Sequence, residues 1–245
     1  MKYKLTIAYD GTPFAGWQIQ PNGPTIQEEI EKALHQVTGK PIKVIGAGRT
    51  DAQVHAKGQV AHFVLETPPS PFLQKSLNAL TPDEISILSI EPVDESFHAR
   101  FSAKEKIYSY DVTTDLIQLP FDRNYSLHCT YPLSFDTMRE AIKDLIGKHD
   151  FSAFANHGFL FNEGKNPIKT LYAIDIVQHD SGFALVFRGN GFLYKMVRNL
   201  TGLLIEIGRG KLYPSDAKKI LESRDRKQAP SAAPAHGLTL YSIRY

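Results

Sequence analysis

The sequence predicts an α+β fold built from two halves, each running β-α-β-β-α-β. Three observations carry this. Apolar residues alternate with a period of two in some segments and recur with a helical period in others. Capping and stop residues bound the helical stretches. The same order of elements then occurs twice within 245 residues.

In the first half, Tyr3, Leu5, Ile7 and Tyr9 alternate with Lys4, Thr6 and Ala8, the pattern of a half-buried strand. Thr25 and Glu28 form a capping box that opens a helix. Ile26, Ile30, Ala33, Leu34 and Val37 give its apolar stripe, and Gly39 with Pro41 ends it. Strands are expected over 42–45 and 59–65. A short helix over 71–80 carries Phe72, Leu73, Leu77 and Leu80, and Ile85, Ile87 and Ile90 mark a fourth strand.

The second half opens with a strand over 106–113. Ser134 caps a helix with Met138, Ala141, Ile142 and Leu145 on one face, stopped by Gly147. Segments 171–177 and 183–187 read as a hairpin turned at His179-Asp180-Ser181-Gly182. A long apolar helix is expected over 194–207, a short one over 215–221, and a closing strand over 238–243. The recurring order is the ferredoxin-like, or split βαβ, pattern. It divides the chain into 1–100 and 101–245, with irregular stretches at 12–24, 115–132 and 156–167 that suit functional loops or an oligomer contact.

Composition narrows the function. Apolar residues make up 42% and charged residues 22%, as in an ordinary globular protein. One Cys excludes an internal disulfide framework and a CxxC zinc site. No apolar run reaches the ~18 residues of a membrane span, and the N-terminus has no signal-peptide pattern, so the cytoplasm is the expected compartment. The net charge of +2 is unevenly spread: residues 188–227 carry 10 basic and 4 acidic side chains, a local +6.

Two polar clusters stand out. Residues 46–58 read GAGRTDAQVHAKG and join two expected strands, with Arg49, Asp51 and His55 inside. A hairpin needs fewer residues, although a solvated loop with Asp51 bonded to its own backbone fits as well. The third glycine of a dinucleotide fingerprint is missing, and the spacing of His55, His62 and His98 offers no metal-ligand pattern. No GxSxG elbow of a serine hydrolase is present. The second cluster, 188–199, runs from a strand into a helix and interleaves Arg188, Lys195 and Arg198 with Phe192 and Tyr194. Apolar neighbours surround Arg198, and a buried Arg calls for a carboxylate. Asp51 is the natural nominee.

The segment Arg49-Thr50-Asp51-Ala52-x-Val54-His55-Ala56 resembles the active-site motif of the TruA family of tRNA pseudouridine synthases. Four further blocks agree in order: Tyr9-Asp10-Gly11-Thr12 with Gly16-Trp17-Gln18; Phe97-His98-Ala99-Arg100-Phe101-Ser102-Ala103 with Tyr108 and Tyr110; Met196-Val197-Arg198-Asn199; and Ala235-His236-Gly237-Leu238. The resemblance spans nearly the whole chain. It implies two ferredoxin-like halves in one joined, mostly antiparallel sheet with helices on one face, a central RNA cleft and a homodimer. It implies an isomerase that turns uridine into pseudouridine at positions 38–40 of the tRNA anticodon arm, with neither cofactor nor metal. Asp51 is then the catalytic carboxylate, acting on uracil or on ribose C1′, and Arg198 its partner. Tyr108 stacks on the target base, Leu238 closes the pocket, and Arg49 and His55 belong to the substrate-binding set.

Two departures from the family pattern are visible. Gln53 replaces the usual Gly, which strains the loop if φ is positive there. The segment 156–166, with Phe159, Leu160 and Phe161, is also unlike it. A non-catalytic RNA-binding protein of RRM-like fold and a small-molecule enzyme on the same scaffold remain the alternatives.

Overall fold

The computed structural model describes residues 1–156 and 166–245, so Phe159, Leu160 and Phe161 lie outside the described residues. The fold is α+β, as read from the sequence, and the chain divides into two compact units. One comprises Met1–Lys104 with Thr239–Tyr245; the other is Glu105–Leu238.

The first unit contains β1 (Lys2–Tyr9), α1 (Ile26–Thr38), β2 (Ile45–Gly46), β3 (His55–Val64), α2 (Leu73–Leu80) and β4 (Ile85–Val93). Strand β1 lies between β3 and β4, antiparallel to both. The other edge of β3 takes β2 at Ala61 and His62. Nearer its start, at His55 and Ala56, β3 pairs in parallel with β10 (Leu238–Arg244), the last strand of the chain. Every second residue of β1 is buried, and Ile26, Ile30, Ala33 and Leu34 of α1 are buried too. The Thr25 hydroxyl accepts the Glu28 N–H at 3.4 Å, the expected cap, and Gly39 ends α1 in the left-handed region.

Two strands of this unit differ from expectation, and in the second unit β6 (Leu127–His128) and β7 (Gly147–Asp150) fall where no strand is expected. Strand β2 covers only Ile45–Gly46, because helix α1 takes up the backbone just before it. Glu31 accepts the Val44 N–H at 2.9 Å and Gln27 donates to the Val44 carbonyl at 3.0 Å. Strand β3 begins at His55, earlier than expected. Paired on both edges and buried on both faces, it carries no alternation that a period-two search could detect.

The second unit contains β5 (Glu105–Thr113), β6 (Leu127–His128), α3 (Phe135–Leu145), β7 (Gly147–Asp150), β8 (Ile168–His179), β9 (Gly182–Gly189), α4 (Met196–Gly208) and α5 (Asp216–Ser223). Strand β9 lies between β5 and β8, β7 extends the sheet beyond β8, and β6 joins β5 in parallel. The hairpin β8–β9 closes at His179 and Gly182 as read from the sequence. Helix α4 starts two residues later than expected, since Lys195 before it sits at φ 61°. Ser134 caps α3 by accepting the Thr137 N–H at 3.4 Å. Among the described residues no helix is long and apolar enough to cross a membrane.

Candidate active site

The loop between β2 and β3 is held on the first unit by contacts on three sides. The buried Tyr9 hydroxyl and the Thr50 hydroxyl lie 2.8 Å apart, and the Trp17 N–H donates to the Thr50 carbonyl at 3.1 Å. Gln59, fully buried on β3, donates to the Gly48 carbonyl at 3.0 Å and to the Tyr9 hydroxyl at 3.4 Å. Burial pushes the Tyr9 phenol up to about 12, against the opposing hydrogen bonds to Thr50 and Gln59, so it stays a neutral donor. Close backbone approach completes the cradle. A Cβ on Gly16, at φ 107°, would stand 2.6 Å from the Thr50 carbonyl oxygen; one on Gly11 would stand 2.1 Å from that of Val54.

Asp51 follows this pinned residue directly. Its carbonyl accepts the Val54 N–H at 3.2 Å, closing a turn over Ala52 and Gln53. Gln53 holds φ 65°, as the third residue of a type II turn must. The strain anticipated where glycine is usual is therefore present. The side chains of the loop diverge: Asp51 is half-buried, Arg49 and Gln53 are exposed, and His55 is buried. His55 Nδ1 accepts the Gly11 N–H at 3.1 Å and lies 3.1 Å from Asp10 Oδ1. His55 thus ties the end of β1 to the start of β3.

On the second unit, Tyr108, Arg198 and Leu238 gather around Tyr110. Tyr108 and Tyr110 stand two apart on β5 and share a face of the sheet. Tyr108 is 8% exposed and packs edge-on against Phe192, with ring centroids 5.3 Å apart. The Tyr110 hydroxyl donates to the Pro234 carbonyl at 2.9 Å, and Gly237, next to Leu238, lies against the Tyr110 ring. Burial raises the Tyr110 phenol, while the positive charge of Arg198 works in the opposite direction. Arg198 sits in the first turn of α4, donates from Nε to the Ala233 carbonyl at 2.8 Å, and accepts the Ala233 N–H at 3.0 Å. A cation in a first turn opposes the helix dipole, so its placement calls for anionic company. Leu238 is buried at the start of β10.

A sequence profile of the tRNA pseudouridine synthases matches residues 5–102 and 141–245. The chain belongs to that family. A tRNA pseudouridine synthase A of Streptococcus thermophilus is 47% identical, over 100% of this chain and 99% of its own length. Proteins of the same name from Chlamydia abortus and an Exiguobacterium species are 46% and 45% identical. These alignments cover 98% and 100% of this chain, and 90% and 98% of those relatives. The synthase is thus an isomerase acting on tRNA uridine, and the two non-synthase alternatives fall away.

The chemistry asks for one group able to act as nucleophile or base, and for flat apolar walls around an extruded base. Asp51 is a carboxylate directly after the doubly anchored Thr50, and Tyr108 is an aromatic ring on β5. Sequence reading did not single out Tyr9, Thr50 or Gln59 as loop anchors. Two polar residues inside apolar strand patterns, Tyr9 and Gln59, were the available signal.

Proposed function

We propose that the synthase isomerises uridine at positions 38–40 of the tRNA anticodon arm, with Asp51 as the catalytic carboxylate. The observation that carries this reading is the anchored loop, which presents Asp51 half-buried directly after Thr50, whose hydroxyl meets that of Tyr9 and whose carbonyl accepts the Trp17 N–H. In the reaction the N1–C1′ bond breaks, the base turns, and C5 bonds to C1′. C5 gives up its proton and N1 gains one, so no oxidant or second substrate is consumed. Arg198 supplies positive charge to the substrate-binding set. Tyr108 stacks on the base, Leu238 closes the pocket, and exposed Arg49 meets the RNA backbone. His55 serves the substrate through the loop it positions. The enzyme works as a homodimer in the cytoplasm.

The reading is tested with an unmodified tRNA transcript carrying uridine at 38, 39 and 40, and a control with cytidine there. Chemical mapping is expected to find pseudouridine only in the first and only at those positions. Product elsewhere in the tRNA would overturn the positional assignment.

A further inference from the structure

The second unit contains a cavity of ≈ 640 Å³ whose lining does not include Tyr108 or Tyr110. Helix α4, the loop after it, β6 and the segment 230–234 line it. Its volume lies within the ~300–1,000 Å³ of small-ligand sites. Ile205, Leu212 and Pro230 give it apolar walls, while Arg209, Lys211 and Tyr131 give it charge and an aromatic plane.

The cationic side is built rather than incidental. The Arg209 guanidinium lies 4.1 Å from the centre of the Tyr131 ring and pairs with Glu206 at 2.8 Å. These two contacts fix the plane of the guanidinium, whose faces suit stacking on a base. Lys211 stands 3.9 Å from the other Glu206 oxygen, and its side chain is 59% exposed, free to swing toward a phosphate. The Lys211 and Leu212 N–H groups both donate to the Glu206 carbonyl, at 3.0 and 3.3 Å, which holds the loop in place.

The cavity also touches the catalytic machinery. Ala233 and Pro234 form part of its wall. Ala233 exchanges two hydrogen bonds with Arg198, and Pro234 accepts the Tyr110 hydroxyl.

We propose that this cavity binds a second nucleotide of the same RNA, its base against Arg209 and Tyr131 and its phosphate on Lys211. The inference rests on the tRNA reading above. The ligand chemistry is a nucleotide: a flat, largely apolar base with an attached anion. Residue of an RNA chain is the favoured source, because Arg209 and Lys211 belong to the stretch 188–227 that holds the local +6.

The test uses the full-length enzyme with Lys211→Glu, Lys211→Arg and Tyr131→Ala, all at exposed side chains, with thermal melting as the folding control. Transfer-RNA affinity is measured by filter binding between 50 and 200 mM salt, with kcat and KM alongside. The expected result is a Kd and KM raised about tenfold in Lys211→Glu and Tyr131→Ala, with kcat within twofold. The slope of log Kd against log salt should fall by about one in Lys211→Glu, and Lys211→Arg should behave as wild type. Unchanged Kd and slope in both disruptive variants would overturn the proposal. So would saturable binding of free 5′-UMP or 5′-AMP that Lys211→Glu abolishes while tRNA affinity stays constant, since the ligand would then be a free nucleotide. Absence of pseudouridine from the wild-type reaction would count against the functional reading alone, because the comparison of Kd values needs no turnover.

Discussion

Gln53 sits at φ 65° in the turn that follows Asp51, a conformation that costs a non-glycine residue about 1 kcal/mol. Its side chain is exposed. Gln53→Gly is therefore expected to stabilise the protein by up to about 1 kcal/mol in urea unfolding, with kcat unchanged. A lower stability would show that the glutamine compensates for its own strain. Thr50 is the more consequential neighbour. Thr50→Val keeps the shape but leaves the buried Tyr9 hydroxyl with only the 3.4 Å contact to Gln59. A loss of about 1–2 kcal/mol in stability is expected. The kcat should fall severalfold while KM holds, and Thr50→Ser should restore both. Asp51, Tyr108, Arg198 and Leu238 were legible as candidates through their motif context. The anchoring of Thr50 was not, because a hydroxyl bond spanning 41 residues of sequence leaves no local pattern.

Among the elements, α1 shows how far local signals reach. Thr25, the stripe of Ile26, Ile30, Ala33 and Leu34, and Gly39 all take the positions their chemistry implies. Thr25→Ala removes the bond to the Glu28 N–H and is expected to cost about 1 kcal/mol by denaturant titration. Helix α4 begins at Met196 because Lys195 adopts φ 61°, which no apolar stripe reports. Strand β3 and the two-residue β2 were misjudged in length for a shared reason. Their backbones are satisfied by remote partners: the chain end for β3, and the side chains of α1 for the residues before β2. Periodicity reads burial along one strand, not the identity of the partner across it.

For the whole molecule, charge and protonation depend on location more than on totals. A net +2 coexists with +6 in residues 188–227, which supports a local rather than a global RNA-binding surface. His62 is buried against His98, with ring centroids 4.8 Å apart, and accepts the Ala99 N–H at 3.2 Å. Burial, then the charges of His98 and Lys2, lower its pKa from 6.5 to about 4. The unfolded chain therefore binds a proton that the folded chain refuses, and stability present above pH 6.5 is lost as pH falls toward 4. Melting temperatures at pH 7 and 5 should show the decline, and His62→Gln should flatten it while keeping an acceptor for Ala99. The β-α-β-β-α-β order of the first half was legible from alternation, stripes and caps, whereas β6 and β7 of the second unit, two and four residues long, are too short to show a period. The return of the closing strand to β3 was not, since a parallel pairing 184 residues apart, Thr239 on His55, has no local signature.

On the proposed reading, Asp51 performs the isomerisation while the rest of the protein holds the tRNA and the loop. Single-turnover conversion of tRNA by Asp51→Asn, with Kd measured on the same preparation, tests it most directly. Wild-type affinity and melting temperature are expected, with conversion slowed at least ~1,000-fold. Conversion at a rate near that of wild type would contradict it.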